Sequence, residues 1–242
     1  MKKFYIISCH VLWRELSYFA SQSRHAFDFN FLRQGLHDTP DELRRQLQAA
    51  IDNASKEYDA ILVGYGLCSN GIVDIKATTH DLVFMRGHDC ITFFLGSRDR
   101  YQDYFDSNPG TYWYTSGWIE TGAHPMPGKE RLEYLRQQYE HKYGADNADY
   151  LMRMEQGWID EYSKAAYIDM SIINESRYKE YTKQCADYLS WDYDELSGNM
   201  SLIRRFIEGD WDDEDFLIVR KGYKIAASHN SKIITCKADG TT

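Results

Sequence analysis

Three of the five cysteines stand where the run of the chain would gather them. Cys9 ends the first apolar stretch, Cys68 lies in the glycine-broken segment GYGLCSNG after the third, and Cys90 closes RGHDC after the fourth. Convergent thiols are soft donors that suit zinc, or an iron–sulfur cluster with one position left for another ligand. Cys9, Cys68 and Cys90 are therefore the expected metal ligands, within ligating reach of one point. No C-x-x-C pair is present, so the local signature of a zinc ribbon or a ferredoxin is missing. The alternative at each position is a small buried hydrophobe near a strand end. Cys185, within YTKQCADYL, and Cys236, within IITCKAD, read as structural or incidental.

Other groups cluster around these thiols. RGHDC places Arg86, His88, Asp89 and Cys90 within five positions. Asp89 is the expected N-cap of a following helix, and the amides at that helix start would favour the Cys90 thiolate. His88 is a candidate ligand or acid–base group, against the simpler reading of a solvated histidine beside a cap. Arg14 and Glu15, one or two turns after Cys9, are further catalytic candidates, with Glu15 either a fourth ligand or a surface acid. His10 would point the opposite way if the strand ran through it. In GYGLCSNG, Gly64, Gly66, Asn70 and Gly71 are the cofactor-binding candidates. Glycines allow close backbone approach, and main-chain amides there could cradle an anion or cluster sulfurs. No Gly-Lys-Ser/Thr follows, so this is no phosphate loop, and a tight strand-to-loop turn is the alternative. The aromatic run PGTYWYTSGWIE is either the wall of a flat ligand or a core strand. GDWDDEDF lacks the spacing of a calcium loop and reads as an acidic turn.

These residues need elements to hold them. Lys3 to Ser8, Ala26 to Phe31, Tyr58 to Val63 and Leu82 to Met85 read as strands. Between the first three lie helical periods over Val11 to Ser21 and from Thr39-Pro40-Asp41-Glu42 to about Ser55, the latter with Pro and acids in its first turn. From Asp89 the stretch CITFFLGSRDRYQDYF reads as helix. The alternation predicts an α/β fold, an open parallel sheet with crossover helices on both faces, of the doubly wound, Rossmann-like kind. Ligands of such sheets bind outside the carboxyl ends of the strands, where the strand order reverses. All three thiols fall there, and the first and third strands are expected to be neighbours.

The second half reads as more helical. Thr111 to Trp118 is strand-like, and Lys129 to Lys142 and Asp146 to Ala166 read as long helices. Tyr167 to Met170, a helix over Glu175 to Leu189, Trp191 to Tyr193 and a helix over Asn199 to Ile207 follow. GDWDDEDFLIV then enters a strand, and the tail from Ser228 reads as irregular. No linker separates the halves, so a single two-lobed unit is expected, with lobes of about 1–106 and 107–242.

Composition narrows the function. The 242 residues carry a net charge of −9 and no basic stripe, which argues against nucleic acid. No apolar run approaches the length of a membrane span, and no signal-peptide core is completed before Cys9, so a cytoplasmic protein is expected. Reduced thiols are the rule there, which favours metal, nucleophile or redox roles over disulfides.

YDAILVGYGLCSNGI, HDCITFFLGSRDRYQDYF, PGTYWYTSGWIE and GDWDDEDFLIV resemble the family called domain of unknown function 1638 over about residues 3 to 225. Cys9 with Arg14-Glu15, and Gly35-Leu36-His37, fit the same pattern. Met85-Arg86-Gly87 departs from it, since the family tends to have a proline and a small residue before HDC. The family occurs in anaerobic bacteria and archaea, often encoded beside corrinoid-dependent methyltransferases. The resemblance thus implies a role near one-carbon or methylamine-type methyl transfer. The partner would be a small-molecule ligand or a corrinoid methyltransferase component, and a corrinoid is the further cofactor it brings in. Two other readings stand beside a metal- or cluster-binding protein. One is a non-catalytic accessory protein that binds a corrinoid or a corrinoid protein, although the chain lacks Asp-x-His-x-x-Gly. The other is a purely structural partner with buried cysteines.

Overall fold

The computed structural model describes residues 1–121, 129–157, 159–228 and 230–240. In chain order its elements begin β1 (Lys3–Cys9), α1 (Trp13–Gln22), β2 (Ala26–Leu32), α2 (Pro40–Asp52), β3 (Ala60–Gly64), β4 (Leu82–Met85), α3 (Cys90–Leu95) and α4 (Arg98–Ser107). They continue β5 (Thr111–Tyr114), α5 (Ser116–Thr121), α6 (Lys129–Tyr143), α7 (Ala145–Gln156), β6 (Lys164–Asp169), α8 (Ser176–Leu189) and β7 (Asp192–Ser197). Last come α9 (Ser201–Glu208), β8 (Phe216–Val219), β9 (Tyr223–Ala227) and β10 (Ile234–Ala238). Two compact units result, one of residues 1–101 with 198–242 and one of residues 102–197.

The first unit holds a five-stranded sheet in the order β2-β1-β3-β4-β8. β1 pairs in parallel with β2 and β3, and β3 with β4; β8 adds an antiparallel edge. The open, mostly parallel sheet and the pairing of the first and third strands agree with the expectation. β3 and β4 are buried along their whole length, as strands covered on both faces must be. From β1 the chain first steps outward to β2, then back past β1 to β3. Right-handed crossovers in opposite directions put α1 and α2 on opposite faces. α9 packs against both α1 and α3.

In the second unit β5, β6 and β7 form a parallel sheet. Its core is aromatic: Tyr114, Tyr167, Tyr178 and Trp191 are buried together with Cys185. Tyr112 packs edge-on against Tyr162 at 5.1 Å and lies 5.8 Å from Trp191. The aromatic run is thus core, and Cys185 one of its small apolar members.

Several boundaries differ from the sequence reading. The helical stretch after Asp89 is two helices, because Gly96 takes φ +74 and a side chain there would meet the Asn199 carbonyl oxygen at 2.6 Å. The strand predicted over Thr111 to Trp118 stops at Tyr114, and Ser116 starts a helix. The helix predicted to Ala166 ends at Gln156, while Lys164 to Asp169, in which Ala165 and Ala166 run into Tyr167 and Ile168, is β6. The tail expected to be irregular pairs as β10 with β9. Thr39 makes no side-chain cap bond, so Pro40 and the first-turn acids are what mark the start of α2. Among the described residues, no helix is long and apolar enough to cross a membrane.

Candidate functional site

The strand order reverses at β1, so the loops leaving β1 and β3 diverge at the carboxyl end of the sheet, where ligands of such sheets bind. Cys9 is the last residue of β1, Cys68 follows β3 and Cys90 is the first residue of α3. The structure brings these three thiols together. The Cys90 thiol interacts with both Cys9 and Cys68. Cys9 and Cys68 are buried; Cys90 is half-buried as a residue, with its thiol among protein atoms. Among the described residues no group of three or more His, Cys, Asp or Glu side chains is placed to hold a metal ion, Cys9, Cys68 and Cys90 included.

Of the three thiols, Cys9 is the one whose pKa is lowered. A hydrogen bond from Cys90 is the main cause that lowers the Cys9 thiol pKa, against the opposing effect of burial. The Cys90 thiol is pushed well up by its contacts with Cys68 and Cys9 and by burial. The expectation that the helix start would make Cys90 the thiolate is therefore corrected. Its S–H interacts with two neighbouring sulfurs, and six residues of helix do not outweigh that.

The loops are fixed to each other by main-chain bonds. Leu67 N–H donates to the Gly87 carbonyl at 2.9 Å, and Cys68 N–H to that of His88 at 2.8 Å. A side chain at Gly66 would meet the Asp89 backbone nitrogen and Cα at 2.8 Å. One at Gly64 would meet the Ser8 Cβ at 2.8 Å, and one at Gly71 the Leu43 side chain at 2.7 Å. Close approach within the chain accounts for these three glycines without a ligand. Ser8 Oγ donates to the Gly64 carbonyl at 3.2 Å and ties the ends of β1 and β3.

Cys68, Ser69 and Asn70 all lie in the left-handed region, at φ +45, +54 and +63. Each such non-glycine residue costs about 1–2 kcal/mol, somewhat less for Asn, and strain of this kind collects at functional sites. A clamp from α2 holds the turn. Arg44 Nη2 donates to the Asn70 carbonyl at 3.1 Å and Nε to that of Val73 at 2.7 Å, while Nη1 pairs with Asp41. The sequence reading missed Arg44, because nothing local distinguishes it from Arg45 on the same helix. Ser69 is exposed, so Ser69→Gly should relieve strain without disturbing packing. The gain, about 0.5–1 kcal/mol after the entropy of glycine is counted, should raise the thermal midpoint by about 1–4 °C.

The remaining predicted residues divide. Asp89 caps α3 as expected: Oδ1 accepts from Ile91 N–H at 2.9 Å and from Thr92 N–H at 3.4 Å, and Oδ2 accepts from the Tyr101 hydroxyl at 3.0 Å. Burial raises its pKa. His88 is exposed. Glu15 is not a surface acid; it is fully buried on α1. Arg14 is half-buried and lies over the Trp13 ring at 4.4 Å. His10 stacks on Phe31 at 5.5 Å. Arg86 turns away to β8 and β10, donating to the carbonyls of Phe216, Lys232 and Ile234 and pairing with Asp213. GDWDDEDF is the expected turn: Asp212 Oδ1 accepts from Glu214 and Asp215 N–H, and Arg205 binds both Asp212 and Asp215. Half-buried Cys236 on β10 lines, with Arg86, a groove of about 490 Å³ beside β8.

The model of the family described as protein of unknown function (DUF1638) matches residues 31–207, which takes in Cys68, Cys90 and the second unit. The chain belongs to this family. No curated protein and no solved structure matches the chain. In this family member the GLC and HDC segments are the two loops bonded together at the crevice, which joins them to Cys9 from outside the matched span.

Proposed function

We propose that the crevice binds a soft metal centre, a zinc ion or an iron–sulfur cluster, through Cys9, Cys68 and Cys90. The observation that carries this reading is the meeting of three thiols from three separate loops at the strand-order reversal. The donor set suits such a group. Sulfurs around a tetrahedral zinc stand about 3.8 Å apart, given bonds of about 2.3 Å, which is close to the separation in a thiol–thiol hydrogen bond. Bound zinc would activate a thiol or water as nucleophile, whereas a cluster would carry electrons. Within the chain, the Arg44 clamp and the bonds from Leu67 and Cys68 hold the ligand loops in place. His88 is exposed beside the last ligand.

The setting we infer, which rests only on what the family resemblance implies, is one-carbon or methylamine-type methyl transfer. Elemental analysis and an ultraviolet–visible spectrum of anaerobically purified protein test the metal reading. Zinc or iron in stoichiometric amount is expected. A chain that stays metal-free, and takes up neither metal on reconstitution, returns the site to the accessory reading, in which the protein binds a corrinoid or a corrinoid protein without catalysis.

A further inference from the structure

The two edges of the first sheet are finished differently. Along β8 lies the start of β10, tied to it through Arg86. The other edge, β2, is seven residues long, AFDFNFL, and pairs with β1 in unbroken register from Ala26 to Leu32. Among the described residues no strand pairs with its outer side. Proteins blunt such an edge with lysine, proline, a bulge or a short strand. β2 has none of these, and its single charge, Asp28, is answered within the chain by Lys3 at 3.3 Å. Phe27, Phe29 and Phe31 are half-buried and form a ladder along one face, with successive ring centres 6.3 and 5.3 Å apart.

Main-chain direction fits a second strand on that side. Ala26 N–H donates to the Lys2 carbonyl at 2.9 Å. In a parallel pair alternate residues face the neighbouring strand, so Asp28, Asn30 and Leu32 face β1 as Ala26 does. The N–H and C=O groups of Phe27, Phe29 and Phe31 therefore point off the edge. A two-fold axis through Phe29, normal to the sheet, sets Phe29 against Phe29 of a second copy and Phe27 against its Phe31. Residues so opposed exchange both of their main-chain bonds. Side chains obey the same symmetry. The phenylalanines of both copies gather on one face, and on the other each Asp28 lies opposite an Asn30. Asp28 Oδ2 accepts from the Tyr58 hydroxyl at 2.8 Å and pairs with Lys3, which leaves Oδ1 to accept from that amide. Moving the axis by one residue sets Asp28 against Asp28, or else Asp28 against Leu32.

We propose that β2 is the contact of a two-fold homodimer, in which two copies of the chain join their sheets through antiparallel β2 strands centred on Phe29. The occupant of the edge is a second copy because the pattern F-D-F-N-F is complementary to itself when reversed, as an isologous interface requires. Opposed aromatic pairs and carboxylate–amide pairs both stabilise neighbouring strands, whereas like charges directly opposite destabilise them. The dimer does not depend on a metal at the thiols.

Sedimentation equilibrium of the full chain under reducing conditions should show a dimer that dissociates on dilution. Asn30→Asp sets a carboxylate against a carboxylate on both sides of the axis and should weaken the dimer at least about 10-fold. Adding Asp28→Asn to that variant exchanges the two residues and restores a carboxylate–amide pair on each side. The double variant should regain the native affinity to within about 3-fold. Such rescue is expected of a β2 contact centred on Phe29 and not of damage to the fold, which a second substitution would only deepen. A native chain that stays monomeric throughout the concentration range overturns the proposal. So does a dimer that Asn30→Asp leaves intact, or one weakened by Asn30→Asp and not recovered in the double variant.

Discussion

Cys90→Ser protein, purified or reconstituted without oxygen, is expected to contain almost no metal. Cys90 interacts with both other thiols, so its loss leaves Cys9 and Cys68 without their common neighbour. A serine hydroxyl is a harder and far less acidic donor than a thiol and does not replace it for zinc or iron. Cys9→Ser and Cys68→Ser should release metal as well. Two controls separate this from general damage. Cys185→Ser should keep full metal content, because Cys185 belongs to the aromatic core of the other unit. Asp89→Ala should also keep it while losing about 1 kcal/mol of stability, since Asp89 caps α3 through its carboxylate. Metal content and thermal midpoint measured on all variants decide the matter. Full metal retention by Cys90→Ser would return the three cysteines to the role of small buried hydrophobes.

Arg86→Met should be among the most destabilising single changes in the first unit. The guanidinium is 3% exposed, and its Nε donates to the Phe216 carbonyl at 2.9 Å. Nη1 reaches the Lys232 and Ile234 carbonyls, and Nη2 pairs with Asp213 at 3.2 Å. One side chain at the end of β4 thereby ties together the edge strand β8 and the start of β10. Methionine fills much of the volume but donates nothing, and each carbonyl left buried without a donor costs about 1–3 kcal/mol. Asp213 is largely exposed and returns to water at little cost. A net loss of about 3 kcal/mol, or roughly 6–12 °C in the midpoint, is expected. Arg86 takes no part in the thiol group, so the folded variant should keep its metal content. An unchanged midpoint would show that solvent replaces those bonds.

Much of the first unit was legible in the residues themselves. The apolar runs of β1, β3 and β4 mark strands covered on both faces, and helical periods between strands demand parallel pairing through crossovers. Parallel strands place all their carboxyl ends together, and that is why three cysteines far apart in the chain could be assigned to one crevice. Asp89 carried its capping role in its type and position. The second unit was less legible because its helices and strands are alike rich in tyrosine and tryptophan. Periodicity over Thr111 to Trp118 and Asp146 to Ala166 did not separate the two kinds of element, and pairing across the sheet did.

The amino-acid sequence by itself determined the alternation of strands and helices, and with it the end of the sheet at which the thiols gather. Only the tertiary structure decided what each group does there. Register sets which distant backbones touch, so the Leu67 and Cys68 bonds, the Arg44 clamp and the turning away of Arg86 have no local signal. Three successive left-handed residues at Cys68, Ser69 and Asn70 are tolerated because surrounding contacts impose them, against the preferences of at least the first two. The opposite pKa shifts of Cys9, down, and Cys90, up, come from contacts between loops that the sequence does not mark. Residue type supplied the donors, and packing set their order.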